Sequence, residues 1–332
     1  MKKVYIITGA NGFLGNNIIR NIKLENNDEI RALVRNNSNV ESLNGLNCKL
    51  FVGDVTDKNS LEKIFEVTNA NIICIHCAAI VYIKDKFNKE VFDVNVNGTI
   101  NIAKKCIEKN ARLIYISSVH AIKEPKNNNI ITETNSFNPK EVKGYYAKSK
   151  AEALRKILLM SKNENLNVTI LHPSGIIGPY DFGNTHLTNL ILKVANNSLH
   201  YIVNGGYNFV DVRDVSLAVI NSINKGKKGE CYIISNKYAS IKELCDIISN
   251  ILKIKKVKTI PIILALLVVP FYQLYYNLKK QTPLFTKYSL YTLKSNSNFS
   301  NLKAKCDLNF QPRSLEETIK DTIIWLKNND KF

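Results

Sequence analysis

Val4-Tyr5-Ile6-Ile7 is a run of β-branched and aromatic residues suited to a buried strand, and it ends in Thr8-Gly9-Ala10-Asn11-Gly12-Phe13-Leu14-Gly15. Ile18, Ile19 and Ile22 then recur at helical spacing. Strand, glycine turn and helix in this order leave few folds open. Glycines let the backbone turn tightly, let a pyrophosphate touch the main chain, and let the helix pack closely on the strand. The helix start adds free N–H groups and a partial positive charge. The spacing here is G-x-x-G-x-x-G rather than G-x-G-x-x-G, and a lone copy of either serves as a structural turn or as a phosphate-binding one, for which Thr8, Gly9, Asn11, Gly12, Phe13, Leu14 and Gly15 are the candidates.

A second strand over residues 29–35 ends in Arg35, followed by Asn36, Asn37 and Ser38. In a dinucleotide fold an acid at this point bonds the free 2′-hydroxyl of NAD, whereas an arginine accepts the 2′-phosphate of NADP. Arg35, with no acid beside it, favours NADP(H) over NAD(H). Residues 49–55 read as a third strand whose end carries Asp54 and Val55. Asp54 serves either the adenine amine or the cap of its own turn. Residues 72–77 form the next strand, and the small Ala78 and Ala79 past its end suit a backbone that borders a ligand. Asn95-Val96-Asn97-Gly98-Thr99 leads a helix, and residues 113–116 give a strand that stops at Ser117-Ser118. Strands alternating with helices predict a parallel sheet with right-handed crossovers.

Residues 145–153 (YYAKSKAEA) are strong helix formers without Gly or Pro. They place Tyr146 and Lys150 one turn apart on one face. A phenol titrates near 10, and an adjacent ammonium favours the phenolate. Lowering it by roughly 2–3 units takes about 3–4 kcal/mol, within reach of a lysine and a cofactor cation together.

Composition removes several alternatives. The formal net charge is +18, which would suit nucleic acid, but the lysines are scattered among asparagines rather than grouped, so nucleic-acid binding is not expected. Seven dispersed cysteines, with Cys74 and Cys77 in an apolar run and no second pair to answer them, read as reduced structural thiols and not as a metal site. Met1-Lys2-Lys3 leads straight into the first strand with no signal-peptide pattern, and the expected location is cytoplasmic.

TGANGFLG at residues 8–15, NVNGT at 95–99, Ser117-Ser118 after a strand, and Tyr146-x-x-x-Lys150 agree in order and spacing. The chain resembles an extended short-chain dehydrogenase/reductase of the NAD-dependent epimerase/dehydratase superfamily over essentially its whole length. The resemblance implies a Rossmann-type α/β fold, a doubly wound parallel sheet with a smaller substrate domain. The Rossmann part would take residues 1–170 with 207–237, and the substrate part 171–206 with 238–332. It also implies that Tyr146 is the acid–base, that Lys150 binds the nicotinamide ribose and lowers the pKa of Tyr146, that Ser118 holds the substrate oxygen, and that Asn95 supports the site. His172-Pro173-Ser174-Gly175 would border the cofactor, with His172 standing where relatives usually carry arginine.

Within that resemblance, nucleotide-sugar epimerases and dehydratases show an Arg-x-Phe element, and this chain has Tyr207 at the arginine position. It is closer to dihydroflavonol-reductase-like and 3β-hydroxysteroid-dehydrogenase-like members, whose substrates are apolar carbonyls and alcohols. Tyr180 and Phe182 are expected in the substrate wall. The alternatives are an NAD-dependent nucleotide-sugar epimerase or dehydratase and, from another class, a non-catalytic dinucleotide sensor, which would not need Ser118, Tyr146 and Lys150. The stretch from Ile260 to Tyr276 is almost wholly apolar with basic flanks, and reads as a buried helix of the substrate domain or as a peripheral membrane contact. A homodimer is compatible with all of this.

Overall fold

The computed structural model describes residues 2–25, 27–83, 86–261 and 291–332. Its main body is a seven-stranded, wholly parallel sheet in the order β3-β2-β1-β4-β5-β6-β10. The strands are β1 (Lys3–Thr8), β2 (Glu29–Val34), β3 (Lys49–Val52), β4 (Asn71–His76), β5 (Arg112–Ile116), β6 (Val168–Pro173) and β10 (Cys231–Ile234). The order reverses between β1 and β4, the switch point at which α/β sheets open a crevice at their carboxyl edge.

Period-two alternation divides the buried side chains between two cores. Val4 and Ile6, Ile72 and Cys74, Leu113 and Tyr115 join one core, while Tyr5 and Ile7, Ile73 and Ile75, Ile114 and Ile116 join the other. The first core is covered by α4 (Thr99–Glu108) and α5 (Tyr145–Asn163); the second by α1 (Phe13–Asn21), α7 (Val212–Lys225) and α9 (Leu302–Leu308). Burial on both faces explains why these strands read as continuous apolar runs.

A smaller set of strands sits beyond the carboxyl edge. β7 (Gly175–Ile177), β9 (Gly206–Asp211) and β11 (Lys237–Ser240) form one sheet in the order β11-β9-β7, and β8 (Tyr201–Val203) pairs with β12 (Lys258–Ile260). α6 (His186–Ala195), α8 (Ile241–Leu252) and α10 (Leu315–Asn328) belong to this part. The chain's return to the large sheet, expected from residue 207, is made by α7 and β10, and β9 itself is a strand of the small sheet. Of the apolar stretch singled out for membrane contact, residues 262–276 lie outside the described residues. Among the described residues, no helix is long and apolar enough to cross a membrane.

Candidate active site

At the end of β1, Gly9 adopts φ +62°, and a Cβ there would meet the Ala78 backbone nitrogen at 2.8 Å. A Cβ on Gly15 would stand 2.1 Å from the Gly9 carbonyl oxygen. The glycine motif is therefore a requirement of close packing between the turn, α1 and the loop after β4. Gly12 is exposed and precedes the first turn of α1 without a side-chain cap, so the amides there face outward. Leu14 is buried and Phe13 packs on the core below the turn, while Asn11 reaches Asn39 O at 2.8 Å. A backbone turn with open amides and no room for side chains fits a dinucleotide pyrophosphate.

Around this turn runs a buried hydrogen-bond chain whose proton order can be worked out. Thr99 Oγ1 donates to Asn95 O (2.7 Å), so it accepts from His76 Nε2–H (3.0 Å). The ring is neutral, since burial pushes it down to about 3. His76 Nδ1 then accepts from Thr8 Oγ1 (2.7 Å), which itself accepts from Ala78 N–H (3.2 Å). Asn95, in a π-helical turn (Asp93–Gly98), accepts from Ile80 N–H (2.8 Å) and donates to Ile80 O and to Ser149 Oγ (both 3.0 Å). Ser149 Oγ in turn donates to Tyr146 O (2.7 Å). The network ties the glycine turn, the loop carrying Ala78 and Ala79, and α5 together. No role was read from the sequence for His76, Thr99 or Ser149, although Thr99 closes the NVNGT motif and Ser149 lies between Tyr146 and Lys150. For His76 the trace was a polar residue inside an apolar strand.

Lys150 is 2% exposed and donates to Ile116 O at 2.9 Å, at the end of β5. Burial lowers its pKa to about 8, with the Cys77 thiol opposing. Tyr146 is half-buried beside Ser118; burial pushes its phenol up to about 12, and the Ser118 hydroxyl acts the other way. The protein alone does not supply the expected drop in the Tyr146 pKa. The Lys150 ammonium is instead bound to the last carbonyl of β5 and stands over the Tyr115 ring at 5.1 Å. Ser118 Oγ accepts from His120 N–H (3.2 Å), leaving its own proton to donate.

His172 lies directly beneath. Its Nδ1–H donates to Ser118 O (3.0 Å), its ring stacks on Phe137 (5.6 Å, 22°), and burial holds it at about 4. Ser174 Oγ donates to Asn208 Oδ1 (2.9 Å), and a Cβ on Gly175 would stand 3.0 Å from the Tyr207 ring. His172 and Ser174 thus turn their polar atoms inward, so contact of residues 172–175, Pro173 included, with a cofactor would be through backbone. Asp54 Oδ1 caps its own turn by accepting from Thr56 N–H (2.8 Å) and Thr56 Oγ1 (2.7 Å). Val55 is buried against Gly98. Arg35 is exposed at the end of β2, and its guanidinium makes no ion pair among the described residues.

A cavity of about 300 Å³ opens beside His120, walled by Val119, Ile122, Ile131, Val142, Tyr207 and Phe299, with Lys123, Glu124, Glu141 and Lys143 toward its mouth. Tyr180 and Phe182, expected in the substrate wall, pack elsewhere. Both ring systems meet Trp325 of α10 (5.9 and 5.3 Å), and the Arg20 guanidinium covers Tyr180 at 4.3 Å. Aromatic–aromatic and cation–π packing pins that loop to α1 and α10.

Residues 5–235 match the NAD dependent epimerase/dehydratase family. The chain is 27% identical to sterol demethylase protein B of Methylococcus capsulatus over 97% of this chain and 98% of that protein. It is 29% identical to a putative dihydroflavonol 4-reductase of Synechocystis over 80% of this chain and 78% of that protein. The crystal structure of gox2253 superposes with a TM-score of 0.84 at 28% identity, covering 99% of both chains. The chain belongs to the NAD-dependent epimerase/dehydratase family. It is an NAD(P)-dependent oxidoreductase of the extended short-chain type, and its cofactor is a nicotinamide dinucleotide.

Proposed function

We propose that this enzyme interconverts a carbonyl and an alcohol on a small or medium apolar substrate, with NADP(H) preferred to NAD(H). The observation that carries the reading is the meeting of Tyr146 and Ser118 at the carboxyl edge of the large sheet, next to a cavity whose inner wall is apolar and aromatic. Nucleotide sugars need cations for their diphosphate, and Tyr207 occupies the inner wall in their place.

In reduction, Ser118 Oγ–H and Tyr146 Oη–H both point at the substrate oxygen, and Tyr146 gives up its proton as the oxygen becomes a hydroxyl. The bound nicotinamide supplies the hydride. Lys150 would hold the ribose of that group and stabilise the Tyr146 phenolate left behind. Gly9, Gly12 and Gly15 would hold the pyrophosphate, Arg35 the 2′-phosphate, and the second oxygen of Asp54 the adenine amine. Asn95 acts on Tyr146 through Ser149. The substrate lies between the large sheet and the part built from β7–β9, β11, β12 and α6, α8, α10.

The test is Tyr146→Phe, assayed with NADPH against a panel of alicyclic, steroid and dihydroflavonol ketones. Turnover should fall by a factor on the order of 10²–10⁴, the usual share of a general acid, while NADPH affinity stays within about twofold because the hydroxyl is not in the dinucleotide cradle. Undiminished turnover would remove Tyr146 from the chemistry.

A further inference from the structure

We infer that His120 positions the substrate by hydrogen-bonding an oxygen substituent close to the reacting carbon, so that oxygenated alicyclic ketones are the favoured substrates. The inference rests on the carbonyl/alcohol reading above and narrows its substrate class.

His120 follows Ser118 by two residues in the same 3₁₀ turn (Val119–Ala121), and its N–H holds the Ser118 hydroxyl. Its ring is stacked on Tyr207 (5.4 Å, 13°), with Nε2 3.1 Å from Tyr207 Oη. Tyr207 is itself held edge-on by Phe209 (6.3 Å) and Phe299 (6.2 Å). The imidazole therefore has a fixed orientation. On its other side it meets Tyr146 at 6.2 Å and 75°, and it lines the cavity. A side chain one ring's width from the acid–base faces atoms one or two bonds from the reacting carbon.

The remaining nitrogen, Nδ1, makes no hydrogen bond to any described residue. Burial keeps the ring neutral by pushing its pKa down to about 4. A neutral imidazole paired at Nε2 offers one further donor or acceptor at Nδ1, matched to a hydroxyl or oxo group. Of the charged groups in the lining, Lys123 is paired with Glu141, Glu124 accepts from Tyr291 Oη (2.8 Å), the Lys143 ammonium stands over the Tyr291 ring at 4.4 Å, and Lys126 is exposed. Ser295 and Asn296 also line the cavity, but their side chains donate to Thr292 O (2.8 Å) and Asn129 O (2.7 Å), whereas His120 stands against Tyr146.

The experiment compares cyclohexanone with its α-hydroxy derivative, both with NADPH, in the wild type, His120→Phe and His120→Asn. Phe keeps the stacked ring and loses the nitrogen; Asn returns a hydrogen-bonding group. The wild type should prefer the hydroxyketone by about tenfold in kcat/KM, mainly through KM, in line with one hydrogen bond. His120→Phe should bring the ratio to about one and His120→Asn should restore part of it. A ratio unchanged in His120→Phe, or equal losses for both ketones, overturns the role of His120 and leaves the carbonyl/alcohol reading standing. Reduction of neither ketone by the wild type overturns the inference, and it overturns the carbonyl/alcohol reading as well if the steroid and dihydroflavonol ketones are also left unreduced.

Discussion

Tyr146 and Lys150 show how far one spacing rule reaches. The i, i+4 pair, the phenol and the ammonium were legible in residues 145–153, and both side chains arrive at the edge of the sheet. What sequence could not give was the length of the lysine arm relative to Ile116 O, which sets where the charge is spent. His76 and His172 were opaque for a related reason: a histidine's role depends on which groups surround it in three dimensions. Both are fully buried, and burial holds them neutral at about 3 and about 4. The sign of their effect on stability follows. Unfolded, each takes a proton below about 6.5; folded, neither does until the pH is near 4. Their stabilising contribution is complete above 6.5 and is lost as the pH falls toward 4, by up to roughly 1.4 kcal/mol per pH unit for each ring. Urea unfolding at pH 7 and pH 5 should show a lower midpoint at pH 5, and His172→Phe, which keeps the stack on Phe137, should flatten that dependence. An unaltered dependence in the variant would mean that another group titrates.

At the scale of elements, β1, the glycine turn and α1 were the most legible part, because period two, glycine spacing and period 3.6 agree over consecutive residues. Gly15 is the sharpest case, with the Gly9 carbonyl oxygen 2.1 Å from a Cβ it does not have. Gly15→Ala should push α1 away from the turn, lower NADPH affinity by at least roughly tenfold, or 1.4 kcal/mol, and lower the Tm. Gly183→Ala, where the nearest atom is 3.8 Å away, is the control and should change neither. Equal behaviour of the two variants in a fluorescence titration would contradict the cradle. The small sheet was harder to read. β7, β8 and β12 are three residues each, too short for alternation to be seen, and β9 is buried along its whole length. The aromatic loop at Tyr180 and Phe182 misled because aromatics suit a substrate wall and a packed interface equally well. Trp325, more than a hundred residues away, decides between them.

Across the whole molecule, the return of the chain is secured by buried charge. Asp211, fully buried, caps α7 by accepting from Arg213 N–H (2.7 Å) and pairs with its guanidinium (2.7 Å), which also reaches Asp321 of α10 (2.7 Å). Arg313 binds Asp214 at 2.9 Å one turn along. Burial lowers the Arg213 pKa, but Asp211 and Asp321 outweigh it and raise the value overall. Arg213→Met leaves a buried carboxylate short of its partner and should cost about 3 kcal/mol in denaturant unfolding; adding Asp211→Asn should recover part of that loss. Full additivity of the two changes would show that the pair is not the fastening.

Exchange of NADP(H) on each turnover is tested by a fluorescence titration of the purified protein with NADPH and NADH, after denaturing a sample to assay any dinucleotide carried through. The expected result is protein free of retained cofactor, tighter binding of NADPH than of NADH, and loss of that difference in Arg35→Ala. NAD held through purification and released only on denaturation would contradict it and favour an epimerase or dehydratase.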